Sequence, residues 1–173
     1  MKLHVIGKPI KHSLSPNIHN QWLKENKIDC VYEKKEVEEK ELSGLVELVR
    51  SGKLIGFNVT LPYKQKIIEH LDRLDSSAKN SFAVNTVYKK NRQIVGANTD
   101  GIGFCDSLEK DLDYSLENKN IFLIGSGGAS YGIVPELICK RVNSIEITNR
   151  TESRARQFLQ RYKELNSKLN FRK

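Results

Sequence analysis

Two ionisable side chains, Lys64 and Asp100, are of the types that can move a proton to or from a substrate hydroxyl group. A lysine acts as a general acid or base when its surroundings lower its pKa, and a neighbouring carboxylate can share the proton. Each residue also has a structural explanation, because Lys64 could be a solvated lysine at a helix start and Asp100 could cap a helix over residues 101–110. The sequence predicts a catalytic pair if the fold brings both residues to one pocket.

Neutral hydrogen-bonding residues accompany this pair in and between three polar segments that follow predicted strands. The segments are HSLSP, NVTLPYK and GANTDGIGF, at residues 12–16, 58–64 and 96–104. The neutral residues are Ser13, Ser15, Thr60, Asn85 and Asn98. Because open α/β sheets bind ligands beyond the carboxyl ends of their strands, the segments are expected to share a pocket for a small polyhydroxylated anion. Ser15 before Pro16 also has the pattern of an ordinary helix N-cap, and neither His12 nor His19 is assigned a catalytic role.

A glycine-rich loop in the second half of the chain predicts a dinucleotide site. Gly125, Ser126, Gly127, Gly128 and Ala129 follow the apolar run IFLI and precede a helical pattern. In this strand–loop–helix setting, glycines let the backbone approach a pyrophosphate, and the helix N-terminus favours the negative charge. An ordinary glycine-rich turn is the alternative.

The end of the following strand favours NADP over NAD. That strand ends at Asn149, Arg150 and Thr151, with Arg154 one turn later, and no carboxylate stands at its tip to hold a ribose hydroxyl group. An arginine there suits a 2′-phosphate, although Arg150 and Arg154 could also be solvated residues at a helix start.

Strand and helix patterns alternate along the chain, which predicts α/β architecture with mostly parallel sheets. Strands are predicted at residues 3–6, 30–37, 54–60, 83–88, 93–97 and 121–124 and in SIEITNR, with helices between most of them and a charged helix over 151–166. The first helix would place Ile18, Trp22 and Leu23 on one face. The polar stretch 111–120 is typical of a connection between domains.

Composition excludes several classes of protein. The chain has 173 residues, 38% of them hydrophobic and 29% charged, and no apolar run long enough to span a bilayer. The cysteines, Cys30, Cys105 and Cys139, form no CxxC motif or Cys/His cluster, so we expect reduced thiols, no metal site and a cytoplasmic location. The net charge of +8 is spread over scattered lysines, which favours a small anionic ligand over nucleic acid.

Six segments in this order resemble the shikimate dehydrogenase family: HSLSPNIHN, GFNVTLPYK, AVNTV, GANTDGIGF, GSGGA and ITNRTESRA. The resemblance covers essentially the whole chain. It implies a three-layer α/β substrate domain at residues 1–105, a connection at 106–118 and a partial Rossmann-like NADP-binding domain at 119–173. It also implies reversible NADPH-dependent reduction of 3-dehydroshikimate to shikimate in chorismate and aromatic amino-acid biosynthesis, with a homodimer as a possible assembly.

The same resemblance assigns roles to individual residues. Ser13 and Ser15 would hold the substrate carboxylate, Thr60 and Asn85 would contact the substrate, and Lys64 would be the catalytic lysine. Asp100 would bind the substrate hydroxyl groups and partner Lys64. The cofactor would be held at its pyrophosphate by Gly125 to Ala129 and at its 2′-phosphate by Asn149 to Arg154.

The chain ends earlier than the family pattern, and three explanations remain open. It could be a fragment of a longer protein, a chain truncated by a coding lesion, or a shortened protein that associates with another. Two functional alternatives follow: a quinate/shikimate dehydrogenase, and a non-catalytic remnant that retains only substrate binding.

Overall fold

The computed structural model describes residues 1–162 and 169–171, and it divides the chain into two compact units. The first unit is Met1–Asn98 and the second is Thr99–Lys173. Residues 99–105, which the family resemblance assigns to the substrate domain, fall in the second unit, as do residues 106–118.

The first unit is a six-stranded mixed sheet with helices against it. Its strands lie in the order β2-β1-β3-β5-β6-β4. In chain order its elements are β1 (Lys2–Gly7), α1 (Ser15–Glu25), β2 (Val31–Glu36), α2 (Leu42–Arg50), β3 (Gly56–Val59), β4 (Arg73–Leu74), α3 (Ser76–Ser81), β5 (Thr86–Lys90) and β6 (Gln93–Ala97). Short 3₁₀ helices lie at Glu39–Glu41 and Lys66–His70.

The main core of this unit lies between the sheet and α2. Leu42, Leu45, Val46 and Val49 recur at helical spacing and are all buried, so α2 turns one apolar stripe towards the sheet. They pack in one cluster with residues from alternate strand positions and from the segment after β3. Its other buried members are Ile6, Val37, Leu54, Phe57, Val59, Tyr63, Ile67, Ala78, Val84, Val87 and Ile94.

The structure of the first unit differs from the sequence predictions in local detail. Three of the five strand pairings are parallel, as the alternating pattern predicts, and β5 runs antiparallel to both β3 and β6. The segment after Pro62 forms a 3₁₀ helix, and β4 and α3 were not predicted. On α1, Leu23 packs against Val5, Ile10 and Tyr32, but Ile18 and Trp22 are about half exposed.

The second unit contains a three-stranded parallel sheet in the order β7-β8-β9. Its elements are α4 (Asp100–Asp106), a π-helical turn at Ser107–Asp111, β7 (Asn120–Ile124), α5 (Gly128–Cys139), β8 (Ser144–Thr148), α6 (Glu152–Tyr162) and β9 (Leu169–Phe171). Residues 163–166 of the predicted last helix lie outside the described residues, and β9 was not predicted.

Aromatic packing joins α5 to α6 in this unit. The rings of Tyr131 and Phe158 lie 4.6 Å apart in an edge-to-face arrangement, and the buried Tyr162 hydroxyl donates to the Tyr131 carbonyl oxygen at 3.0 Å. Ala155, Phe158 and Tyr162 are the buried residues of α6, so this helix turns one apolar face inwards. The packing fixes the helix that begins just after the tip of β8.

Candidate functional site

The polar segments of the first unit meet at one edge of its sheet. β1 and β3 are parallel, so their carboxyl ends lie side by side, and antiparallel β5 brings its amino end to the same edge. The backbone bonds at this edge are Thr60 N–H to the Ile6 oxygen (2.9 Å), Val59 N–H to the Asn85 oxygen (2.8 Å) and Val84 N–H to the Lys64 oxygen (2.7 Å). The fold therefore brings the backbones of Thr60, Lys64 and Asn85 together.

Ser13 and Ser15 form a linked pair of hydroxyls at the start of α1. The Ser13 hydroxyl donates to the Ser15 hydroxyl at 3.2 Å and accepts from the Ser15 N–H at 3.3 Å. The N-cap residue is Leu14, and Ser15 is the first helical residue, so the expectation that Ser15 caps the helix is wrong. Pro16 lies in the first turn as the second helical residue, one position later than the pattern predicts. Ser13 instead binds one of the N–H groups that a helix start leaves unpaired.

Thr60 is held against the loop that follows β1. The Lys8 N–H donates to the Leu61 oxygen at 2.9 Å, so this loop and the NVTLPYK segment are hydrogen-bonded neighbours. A Cβ atom on Gly7 would lie 2.6 Å from Thr60 Cγ2 and 2.8 Å from the Leu61 oxygen. Only glycine permits this approach, so Gly7 is a positioning residue for the edge that sequence reasoning did not identify.

Lys64 follows a firmly anchored turn. Tyr63 is buried and its hydroxyl donates to the Val37 oxygen at 2.7 Å, while Ile67 is fully buried in the main core. Lys64 itself is partly buried, and its carbonyl oxygen is fixed by Val84. The backbone that carries the amine is therefore held from both sides.

Asn85 belongs to a chain of side-chain hydrogen bonds that sequence reasoning missed. Its Oδ1 accepts from the Thr86 hydroxyl at 2.8 Å, Thr86 accepts from Asn58 Nδ2 at 3.1 Å, and Asn58 Oδ1 accepts from the Tyr32 hydroxyl at 2.6 Å. Asn58 and Thr86 lie within the quoted NVTLPYK and AVNTV segments, which was the available signal. Tyr32 carried no signal, because its role depends on β2 lying beside β1.

The second half of HSLSPNIHN holds Tyr32 in place. The Asn20 side-chain amide bonds to the Tyr32 backbone in both directions, each at 2.8 Å, and the His19 ring stacks on the Tyr32 ring at 4.2 Å. Partial burial lowers the pKa of His19, which favours its neutral form. His19 and Asn20 therefore have structural roles.

Asp100 begins α4 in the second unit. The N-cap residue of α4 is Thr99, so the alternative in which Asp100 caps this helix is wrong, although its negative charge suits the first turn. The next residue, Gly101, packs on α5, since a Cβ there would lie 2.3 Å from the Gly132 oxygen. Lys64 lies in the first unit, and the pairing of these two residues stays a prediction.

The glycine loop of the second unit has a backbone conformation that suits a phosphate cradle. Gly125 has a φ of +104°, its N–H donates to the Thr148 oxygen at 2.7 Å, and its own carbonyl accepts from the Ser130 hydroxyl at 2.7 Å. Gly127 is the N-cap of α5. The buried Ser126 hydroxyl has no hydrogen-bond partner among the described residues. A ligand oxygen at the loop would satisfy it.

The tip of β8 lies beside this loop. Ile124, Gly125, Thr148, Asn149 and Arg150 line a groove with a volume of about 440 Å³. Asn149 joins its two sides, since its Oδ1 accepts from the Ser126 N–H at 3.3 Å and its Nδ2 donates to the Thr151 oxygen at 2.8 Å. The structure therefore brings together most of the residues predicted to bind a dinucleotide.

The two arginines after β8 are suited to an anion. Arg150 and Arg154 are exposed, and no carboxylate in residues 1–162 or 169–171 forms an ion pair with either. Glu152, the acidic residue between them, pairs instead with Arg156 at 2.5 Å. The uncompensated positive charge, the glycine loop and the Ser126 hydroxyl together fit a phosphorylated dinucleotide.

No group of three or more His, Cys, Asp or Glu side chains in the described ranges could hold a metal ion. None of the described helices is long and apolar enough to cross a bilayer. Cys30, Cys105 and Cys139 are unpaired thiols.

Comparisons with known proteins agree with this geometry. Residues 5–87 match the sequence model of the shikimate dehydrogenase substrate-binding domain, and residues 107–172 match that of shikimate/quinate 5-dehydrogenase. A shikimate dehydrogenase (NADP(+)) from Pelagibacter ubique is 41% identical over 161 residues, which are 93% of this chain and 60% of that protein.

Solved structures give the same result. The crystal structure of shikimate dehydrogenase from Aquifex aeolicus superposes with a TM-score of 0.89 at 34% identity, over 100% of this chain and 62% of that one. The Thermus thermophilus enzyme in complex with NADP(H) and shikimate gives 0.87 at 29% identity, over 100% and 63%. The chain thus spans about 60% of the length of the relatives it matches. Because both sequence models and the relatives described above are those of shikimate dehydrogenases, the chain belongs to the shikimate dehydrogenase family.

Proposed function

We propose that this chain carries the substrate-binding half and the start of the cofactor-binding half of an NADP-dependent shikimate dehydrogenase. The reaction is the reversible reduction of 3-dehydroshikimate to shikimate, a step of chorismate and aromatic amino-acid biosynthesis. The observation that supports it most is the convergence of the Thr60, Lys64 and Asn85 backbones at one sheet edge beside the loop after β1. These are the positions that the family resemblance assigns to the substrate.

In this proposal the substrate is held by neutral donors and one amine. The Ser13 and Ser15 hydroxyls bind the carboxylate, where the N-terminus of α1 also favours negative charge. Thr60 and Asn85 bind ring hydroxyl groups. Because the edge is fixed by backbone hydrogen bonds, these groups are positioned before the substrate arrives, which reduces the entropic cost of binding.

Lys64 and Asp100 handle the hydroxyl proton. In the reduction, Lys64 donates a proton to the oxygen at C3 as that oxygen gains negative charge, and in the reverse direction it accepts the proton. Asp100 binds the adjacent hydroxyl groups and is the proposed proton-handling partner of Lys64. The residues Gly125 to Ala129 and Asn149 to Arg154 hold NADP(H), which supplies the hydride when bound.

The test compares Lys64→Ala with Lys53→Ala. Lys53 is an exposed lysine of the same unit, so it controls for the loss of one positive charge. We expect wild-type protein to bind shikimate in calorimetry and to reduce NADP with it, and Lys64→Ala to lose about 10²–10⁴-fold in kcat, the usual range for a general acid–base group. Lys53→Ala should match wild type.

Two results would change the proposal. Turnover of Lys64→Ala equal to that of Lys53→Ala would remove Lys64 from the reaction. Shikimate binding by wild type with no turnover would favour the non-catalytic binding protein, since the chain spans about 60% of its relatives.

A second substrate, quinate, is favoured by one observation. The sequence model that matches residues 107–172 describes shikimate/quinate 5-dehydrogenases. Parallel titrations with shikimate and quinate separate the two, and we expect tighter binding of shikimate. We also propose a cytoplasmic location. We further propose a homodimer, which sedimentation of the purified chain tests.

A further inference from the structure

We propose that a small cavity formed by β4, β5 and β6 of the first unit binds inorganic phosphate. Arg73 and Lys90 supply the positive charge, and Asp75 accepts a hydrogen bond from the proton that the phosphate carries. The cavity has a volume of about 90 Å³, which suits one small anion and leaves no room for a nucleotide. Its lining includes Arg73, Asp75, Tyr88, Lys90, Gln93 and Val95.

The strand register places the two cations on one face of the sheet. Tyr88 and Lys90 alternate along β5 with Val87, which belongs to the main core against α2, so both lie on the other face. Val95 is the partner of Tyr88 in the antiparallel pairing of β5 and β6, and Arg73 on β4 is the partner of Val95 on its other side. Because register partners share a face, Arg73 and Lys90 lie on the same side of the sheet as the cavity.

Backbone hydrogen bonds hold the walls of this cavity in place. β5 and β6 are joined by a two-residue turn in which Asn91 and Arg92 have φ values of 50° and 66°, the conformation of a tight hairpin turn. The Asp75 N–H donates to the Gly96 oxygen at 3.0 Å, which fastens the end of β4 to β6. The strands are therefore positioned before an anion binds, which lowers the cost of binding.

The positive charges at this cavity have no ionic partner in the part of the chain that the structure describes. Arg73 and Lys90 are both exposed, and neither forms an ion pair within residues 1–162 and 169–171. Asp72, the acidic neighbour of Arg73, pairs with Arg50 at 2.7 Å instead. An oxyanion in the cavity would therefore gain charge-assisted hydrogen bonds without displacing a carboxylate from either cation.

Asp75 determines which oxyanion the cavity accepts. Its Oδ1 accepts from the Ala78 N–H at 2.9 Å and from the Ser77 hydroxyl at 2.6 Å, which fixes the carboxylate at the start of α3. Its Oδ2 has no hydrogen-bond partner among the described residues. Because a carboxylate only accepts hydrogen bonds, an anion beside it has to bring a proton. Inorganic phosphate carries at least one proton at neutral pH and sulfate carries none, so Asp75 favours phosphate.

This cavity is separate from the two sites described above. Along β5, Tyr88 and Lys90 lie two and four residues beyond Thr86, which corresponds to about 7 and 14 Å from the end of the strand where Asn85 lies. The glycine-loop groove belongs to the second unit. The phosphate site can therefore be tested whether or not the chain binds shikimate.

The experiment follows the backbone amide signals of β5 and β6 by ¹⁵N NMR while sodium phosphate replaces sodium chloride at neutral pH and constant ionic strength. Reading these signals separates the cavity from the glycine loop, which also suits phosphate. Arg73→Ala and Lys90→Ala each remove one cation, and Asp75→Asn removes the negative charge while keeping a good N-cap residue. Lys89→Ala is the matched control, because Lys89 is the neighbour of Lys90 on β5 but its ammonium group donates to the Arg50 oxygen at 2.6 Å.

We expect phosphate to shift these signals saturably in wild type and in Lys89→Ala, and to bind Arg73→Ala and Lys90→Ala about tenfold more weakly. Sulfate should bind wild type about tenfold more weakly than phosphate, and the two anions should bind Asp75→Asn with similar affinity. The proposal would be overturned by wild-type signals that do not saturate, by a loss in Lys89→Ala equal to that in Lys90→Ala, or by equal affinities of wild type for sulfate and phosphate.

Discussion

Substitution of Gly7 by alanine tests whether the close approach of the loops after β1 and β3 requires the absence of a side chain at position 7. The new Cβ would lie 2.6 Å from Thr60 Cγ2 and 2.8 Å from the Leu61 oxygen, where ordinary contacts begin at 3.4 Å. The loops would have to separate by about 0.8 Å, the difference between 2.6 and 3.4 Å. One of the two close atoms is backbone, so a side-chain rotation cannot relieve the whole clash.

The cost should resemble that of overpacking a core, about 1–3 kcal/mol. For a unit of this size, that lowers the Tm by roughly 5–20 °C. Thr60 moves with the loop, so shikimate affinity should fall further than the stability loss alone would cause. Thermal unfolding by circular dichroism measures the change in Tm, and calorimetry at a temperature where the variant is fully folded measures the shikimate affinity.

Gly44→Ala is the matched control. Gly44 lies within α2, and its Cβ would have nothing within 4 Å, so alanine should raise the stability by about 0.5–1 kcal/mol through helix propensity. Alanine is thus expected to lower the stability at position 7 and to raise it at position 44. A Gly7→Ala protein as stable as wild type, with normal shikimate affinity, would refute the close-approach argument.

Three further predictions concern charge and backbone strain. Asp72→Asn should remove an acid-sensitive contribution to stability of about 1 kcal/mol after solvent screening, because the Arg50 guanidinium and the Ile94 N–H hold the pKa of Asp72 at about 2. This contribution is present above pH ~4 and is lost as the pH falls towards ~2, which urea titrations measure. Arg150→Ala and Arg154→Ala should each weaken NADP binding about tenfold in calorimetry and leave NAD binding unchanged. Gly125→Ala should cost about 1–2 kcal/mol in thermal unfolding, since a φ of +104° disfavours a side chain although the space is open.

Each of these has a result that contradicts it. For Asp72, the contradiction is an Asn variant whose stability falls with acid as steeply as that of wild type. For the arginines, Arg156→Ala is the control, because Arg156 already pairs with Glu152, and an equal loss of NADP affinity in that variant would point to general charge. For Gly125, unchanged stability of the alanine variant would show that the loop tolerates a side chain there.

The second unit shows which features local sequence can predict. The glycine loop, β7, α5 and β8 were predicted because a strand, a turn that needs glycine and a helix follow one another within about 30 residues. β9 has three residues and pairs with β8 across α6, so no local pattern marks it. β4 has two residues and was missed for the same reason.

The first unit shows the same limit at the level of side chains. Ser13, Ser15, Thr60 and Asn85 could be singled out from polar segments that follow strands. Tyr32 could not, because its hydroxyl reaches Asn58 only when β2 and β3 flank β1. The periodicity of α1 predicted one apolar face with Ile18, Trp22 and Leu23, but the structure leaves Ile18 and Trp22 about half exposed.

Several polar residues of HSLSPNIHN fix the positions of residues that we propose to bind the substrate. Ser13 binds the first N–H group of α1, His19 covers the ring of Tyr32, and Asn20 bonds the backbone of β2 in both directions. These contacts tie α1 to β2, and Tyr32 then ties β2 to β3 through Asn58. A change at Asn20 should therefore alter substrate affinity through Tyr32, although Asn20 itself bonds to backbone.

A double-mutant cycle measures this dependence. Asn20→Ala and Tyr32→Phe, measured singly and together, should lose less shikimate affinity in combination than the sum of their separate losses, because both interrupt one chain of contacts. Calorimetric titration of the wild type, the two single variants and the double variant gives the four affinities. Strictly additive losses would show that the helix start and the Asn85 amide are positioned independently.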